Sequence, residues 1–122
     1  MNVSRENDLE RFRHMLEAVE KAQAFGEGHT RDDLAQDEMR LLAIARLLGI
    51  LGEAASKITP ERRAEYPELP WAEMTGMRNH LIHGYFAVDL DIVWDTLHSN
   101  LPKLSDQLKE FIAMLEVEPP AQ

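Results

Sequence analysis

The chain has 122 residues, 44% of them apolar, with a formal net charge of −9 and no cysteine. That is material for one hydrophobic core and excludes a disulfide framework or a thiolate metal site. The acidity argues against broad, nonspecific nucleic-acid binding, because phosphates are held mainly by arrays of Lys and Arg.

The opening MNVSRENDLE is charged from the start, and no apolar run approaches the length of a membrane span. The expectation is a soluble, cytoplasmic protein with a single domain over residues 1–122 and an ordered core from about 8 to 115. Its first helix is predicted from Asp8 to Phe25, where Leu9, Phe12, Leu16, Val19 and Ala22 or Gln23 form an i, i+3, i+4 stripe that stops near Gly26 and Gly28. Thr30 followed three residues later by Asp33 resembles a capping box with the shorter acid. From there Leu34, Leu41, Leu42, Ala45, Leu48 and Leu51 continue one stripe to about Ile58, which predicts a long second helix. Gly49 and Gly52 lie on neighbouring turns of it, and glycine inside a helix is explained by close approach of another helix.

TPERRAEYPELP, residues 59 to 70, holds three prolines, the first at the N1 position after a Thr cap. It reads as one short helical turn and an extended link. Trp71 to His83 then forms a third helix, ended by Gly84. Asp89 caps a fourth, whose stripe runs from Leu90 through Val93, Leu97, Leu101, Leu104, Leu108 and Ile112 to Leu115, with Pro102 kinking it rather than ending it. No repeat, low-complexity tract or strand alternation is visible. The fold class is therefore all-α, a four-helix bundle with a short helical turn between its second and third long helices.

One stretch concentrates chemistry: GMRNHLIHGYF, residues 76 to 86. On a continuous third helix Asn79 and His83 share a face, and Arg78 is turned by roughly 100°, a gap its long side chain can close. A guanidinium that forks onto phosphate, an amide that orients, and an imidazole that moves protons near neutrality suit cleavage of an RNA phosphodiester through the 2′-hydroxyl, without metal. On spacing alone, a solvated helix C-terminus whose cations favour the dipole is the more economical reading. His80 and His83 form an H-x-x-H pair, but no nearby carboxylate completes a metal site, and His80 reads better as a partly buried or interface residue. Glu53 could orient a group across the bundle or satisfy buried polar atoms. Trp71 and Trp94 read as core or interface anchors, His14, His29 and His98 as surface side chains, and the acidic run around Asp32, Asp33, Asp37 and Glu38 as a solvated face.

The succession of Gly52-Glu53-Ala54, a proline-rich link ending in Leu69-Pro70-Trp71, then Gly76 to Asn79, His83 to Phe86, and Val93-Trp94 resembles the HepT-like branch of the HEPN ribonuclease toxins. The likeness covers roughly residues 9 to 115, and Arg-x4-His-x-Tyr is its most specific part. The resemblance implies the toxin of a two-gene toxin–antitoxin module: a metal-independent RNA endonuclease, without cofactor, in which two protomers join their motifs in one cleft. It implies Arg78 and His83 as catalytic residues with Asn79 in support. It also implies an MntA-like nucleotidyltransferase antitoxin that transfers AMP to Tyr85. The alternative is a noncatalytic helical subunit that binds a nucleotidyltransferase or a nucleotide through the same polar end.

Overall fold

The computed structural model describes residues 3–83 and 87–117. Helix α1 spans Val3–Gly26. Phe12, Met15, Val19 and Ala22 on it are fully buried, while Leu9 and Leu16 flank that stripe half-buried. The chain turns at Gly28, whose φ of 78° needs a residue without a β-carbon, and enters α2, Arg31–Gln36. The capping box is formed as expected. Asp33 N–H donates to Thr30 Oγ1 at 3.0 Å, and Thr30 N–H donates to the Asp33 carboxylate at 2.8 Å.

The long second helix divides at Asp37, which ends α2 and caps α3, Glu38–Ser56. Its carboxylate accepts from Arg40 N–H at 3.0 Å and from Arg40 Nε at 3.2 Å. The break was invisible to periodicity because Leu34 and Leu41 are seven residues apart, so the apolar phase is the same on both sides. Helix α3 buries Ile44, Leu48, Leu51 and Ala55 against α1. Thr59 and Pro60 open the short α4, Pro60–Glu65, as the sequence implied, with Thr59 Oγ1 accepting from Arg62 N–H at 3.2 Å. A buried ion pair ties this connector to α1: Arg62 Nε lies 3.3 Å from Asp8 Oδ2, which also accepts from the Thr59 hydroxyl.

The third helix is two short ones, α5 at Trp71–Thr75 and α6 at Met77–Leu81. It stops two residues earlier than periodicity placed it. Ile82–His83 is strand β1, antiparallel to β2, Ala87–Val88, with Ile82 opposite Val88 and His83 opposite Ala87. Gly84, the predicted stop, lies outside the described residues. Asp89 then caps α7, Leu90–Asp95, through a bond from Ile92 N–H at 3.2 Å. A π segment, Thr96–Asn100, leads without interruption into α8, Leu101–Glu116. Pro102 explains the π turn: its ring would meet the carbonyl one turn back, and the wider turn absorbs the clash. The stripe continues past it through Leu104, Leu108 and Leu115. The architecture is the expected all-α bundle, with α1 and α3 at its centre, α8 on α1, and α5 and α6 on α3. Among the described residues no helix is long and apolar enough to cross a membrane.

Candidate functional site

An aromatic cluster sets the angle at which the motif begins. Tyr66 lies 4.3 Å from Phe111 and 5.7 Å from Phe12, measured between ring centroids. Trp71 Nε1–H donates to Tyr66 O at 2.9 Å, and the Arg63 guanidinium stands 5.7 Å over the Trp71 ring. Trp71 is thus a half-buried anchor packed on the core, as is Trp94.

Helix α5 is stopped at Gly76, which has ordinary helical φ, so its glycine answers to space and not to backbone handedness. A β-carbon there would stand 3.0 Å from Ala72 O and 3.3 Å from Cε1 of His80. The His80 ring folds back over this notch, and its Nδ1 lies 2.8 Å from Gly76 O. A carbonyl only accepts, so the proton sits on Nδ1 and Nε2 is left open. His80 is exposed in the single chain, which sets aside the partly buried alternative and leaves the interface one untouched.

Helix α6 is held by Met77 and Leu81, both buried, and it presents Arg78, Asn79 and His80 to solvent. Its seat on α3 is made at Gly52, with Gly49 one turn away in ordinary contact. A β-carbon on Gly52 would stand 2.5 Å from Met74 O and 3.4 Å from Met77 Cβ, and one on Gly49 would lie 3.9 Å from Arg78 Cγ. The Arg78 stem therefore runs beside Gly49. Among the described residues no carboxylate lies within ion-pair distance of Arg78, whereas Arg13, Arg31, Arg40 and Arg62 are each paired. An exposed guanidinium without a carboxylate partner is available to an external anion.

His83 leaves this helix altogether. Leu81 O accepts from Asp89 N–H at 2.7 Å, closing the hairpin at its base, so the backbone of His83 is extended and Asn79 and His83 share no helical face. The helical H-x-x-H spacing of His80 and His83 fails for the same reason. The motif is instead a helix end carrying Arg78 and Asn79, followed by a hairpin whose first strand ends with His83. Tyr85 lies outside the described residues. The hairpin is two residues on each side, too short to leave an alternating pattern, while Gly76 with His80 four residues on was a readable sign of a notch.

Elsewhere, Glu53 is half-exposed and pairs with Lys57 at 4.0 Å, beside the groove between α1 and α3. His14 pairs with Glu10 and His29 with Asp33, each at 3.8 Å, and His98 stacks on Trp94 with centroids 3.7 Å apart. Among the described residues no cluster of three His, Asp or Glu side chains could hold a metal ion.

A helical bundle with a polar Arg-Asn turn and a following hairpin defines an all-α, HEPN-like architecture. The profile of the HepT-like ribonucleases matches residues 15–111, and the chain belongs to that family. A protein of Caldanaerobacter subterraneus named provisionally as an RNase is 35% identical over 81% of this chain and 88% of its own length. A protein of Thermococcus cleftensis, named as a probable ribonuclease HepT, is 35% identical over 79% of this chain and 87% of its own. Another from Methanocaldococcus jannaschii, also named provisionally as an RNase, is 31% identical over 89% and 91% respectively. No solved structure matches the chain.

Proposed function

We propose that this protein is the toxin of a toxin–antitoxin module, an RNA endonuclease that works without metal and uses Arg78, Asn79 and His83. The observation that carries the reading is the exposed Arg78, free of carboxylates among the described residues, in a chain of the HepT-like ribonuclease family. Arg78 binds the scissile phosphate and stabilises the charge that grows on it, and Asn79 positions the phosphate or its attacking group. His83 serves as general acid or base on the 2′-hydroxyl or the leaving oxygen.

Two copies pair so that their motifs meet in one cleft. This doubles the cationic groups at the site without requiring a basic surface overall, which suits a chain of net charge −9. Control comes from an MntA-like nucleotidyltransferase that transfers AMP to Tyr85. A phosphate two residues from His83 blocks the cleft, competes for Arg78 and repels RNA.

The test is RNA cleavage in EDTA by protein purified without its partner, after intact mass has established whether Tyr85 carries AMP. Wild type should cut, while folded Arg78→Ala and His83→Ala variants should lose at least about 100-fold in rate. A fully active His83→Ala protein refutes the mechanism. Failure of the folded, unmodified dimer to cut any RNA, together with tight binding of a nucleotidyltransferase or nucleotide, replaces it with a binding subunit.

A further inference from the structure

We propose that the cleft between α5 and the π segment is a nucleobase pocket, holding one base of the RNA strand whose phosphate Arg78 engages; this rests on the ribonuclease reading above. The cleft encloses about 290 Å³, at the small end of the range for small-ligand sites. Its lining is mostly apolar and includes Met74 and Met77, which are 2% and 8% exposed. Methionine sulfur is polarizable and packs favourably against aromatic rings, so the lining suits a flat heterocycle.

The rim decides which part of a nucleotide enters. It carries the carboxylates Glu68 and Glu73 against one cation, Lys103, a balance that repels phosphate. Carboxylates accept from exocyclic amino groups, which adenine, guanine and cytosine carry and uracil does not. Thr96 adds an independent sign. It is 4% exposed and lines the cleft, and among the described residues its hydroxyl makes no side-chain hydrogen bond. That hydroxyl keeps contact with solvent and is free to bond the edge of a ligand in the cleft.

Placement ties the pocket to the cleavage site. Met77, in the cleft wall, is the first residue of α6, and Arg78 follows it, turned about 100° round the helix. A strand crossing α6 would then lay a phosphate on one flank and a neighbouring base in the cleft on the other. This is how RNA is commonly read, with single-stranded bases splayed out and bonded along their edges.

The experiment is a titration of the full chain, carrying methyl-labelled methionine, with adenosine, guanosine, cytidine and uridine in turn, followed by NMR. The methyl signals of Met74 and Met77 should shift, and those of Met39 and Met114, exposed at 84% and 50%, should not. Cytidine should bind about 10-fold more tightly than uridine, Glu73→Gln should remove that preference, and Thr96→Val should weaken cytidine. Ser99→Trp, which fills the mouth from an exposed position, should abolish the shifts. Unmoved Met74 and Met77 signals, equal shifts at Met39 and Met114, or uridine binding as well as cytidine each overturn the proposal. Because the titration needs no turnover, RNA cleavage without these shifts refutes the pocket alone. Shifts without cleavage retain a nucleoside site and refute the nuclease.

Discussion

Alanine at Gly52 and alanine at Gly49 should have opposite effects, although the two positions are one turn apart on α3. The β-carbon of Gly52→Ala would be placed 2.5 Å from the Met74 carbonyl oxygen. Carbon and carbonyl oxygen tolerate about 3.3 Å, so roughly 0.8 Å must be opened between α3 and α5. The obstructing atom belongs to the backbone, and no side chain can rotate out of the way. Overpacking of this kind costs about 1–3 kcal/mol, and an encounter with backbone belongs at the upper end. Removing a helical glycine returns about 1 kcal/mol. Gly52→Ala should therefore destabilise by about 2 kcal/mol, a drop of roughly 8 °C in Tm for a chain of this size. At Gly49 the nearest atom is Arg78 Cγ at 3.9 Å, an ordinary contact. There the helix-propensity gain stands alone, and Gly49→Ala should stabilise by up to about 1 kcal/mol. Urea and thermal unfolding followed by far-UV circular dichroism measure both. Equal stabilities for the two variants, or an undisturbed Gly52→Ala, would refute the claim that glycine seats α5 and α6 on α3.

Asp8→Ala removes the buried partner of Arg62 and should lower unfolding stability by about 2–3 kcal/mol, less than for a fully buried pair because Arg62 keeps Glu65 at 2.8 Å. Asp89→Ala removes the cap of α7 and should cost about 1 kcal/mol by urea unfolding, with Asp89→Asn nearly neutral. The backbone N–H of Arg40 and then its side chain hold the Asp37 carboxyl below its ordinary pKa. The stability this contributes is complete above the ordinary carboxylate range and is lost as pH falls through the lowered value. Asp37→Asn, which keeps an acceptor but cannot titrate, should accordingly flatten the acid side of the stability profile relative to wild type.

The parts of this fold that were legible in the sequence are those carried by local chemistry. Thr30 with Asp33, Thr59 with Pro60, and Asp89 each start a helix with a side chain that satisfies an orphan N–H, and each does so here. The glycines of α3 were likewise readable as a packing face. What was not legible depended on partners distant in sequence or on breaks that leave the apolar phase unchanged. Asp37 divides a stripe without shifting it. His83 was assigned to a helix because nothing local announces that Leu81 O will bond to Asp89 N–H eight residues on. Of the candidate site, Arg78 and Asn79 sit on the helix that periodicity gave them, and His83 is reassigned to a strand.

The glycine seat also bears on the order in which the molecule is assembled. Helices of five residues are far too short to persist alone in water, since nucleating a helix is costly and α5 and α6 offer few bonds in return. Their shape is imposed by the face of α3 on which they lie. That face is available early: α1 and α3 are long and separated only by residues 27–37, which hold the short α2, so their pairing needs little closure entropy, whereas α8 must return across most of the chain to reach α1. The Arg78-Asn79 turn is thus moulded on a surface completed before it, and its accuracy is inherited from that surface. Selection acting on the position of Arg78 would then be felt at Gly52, which is buried on α3 beneath that turn.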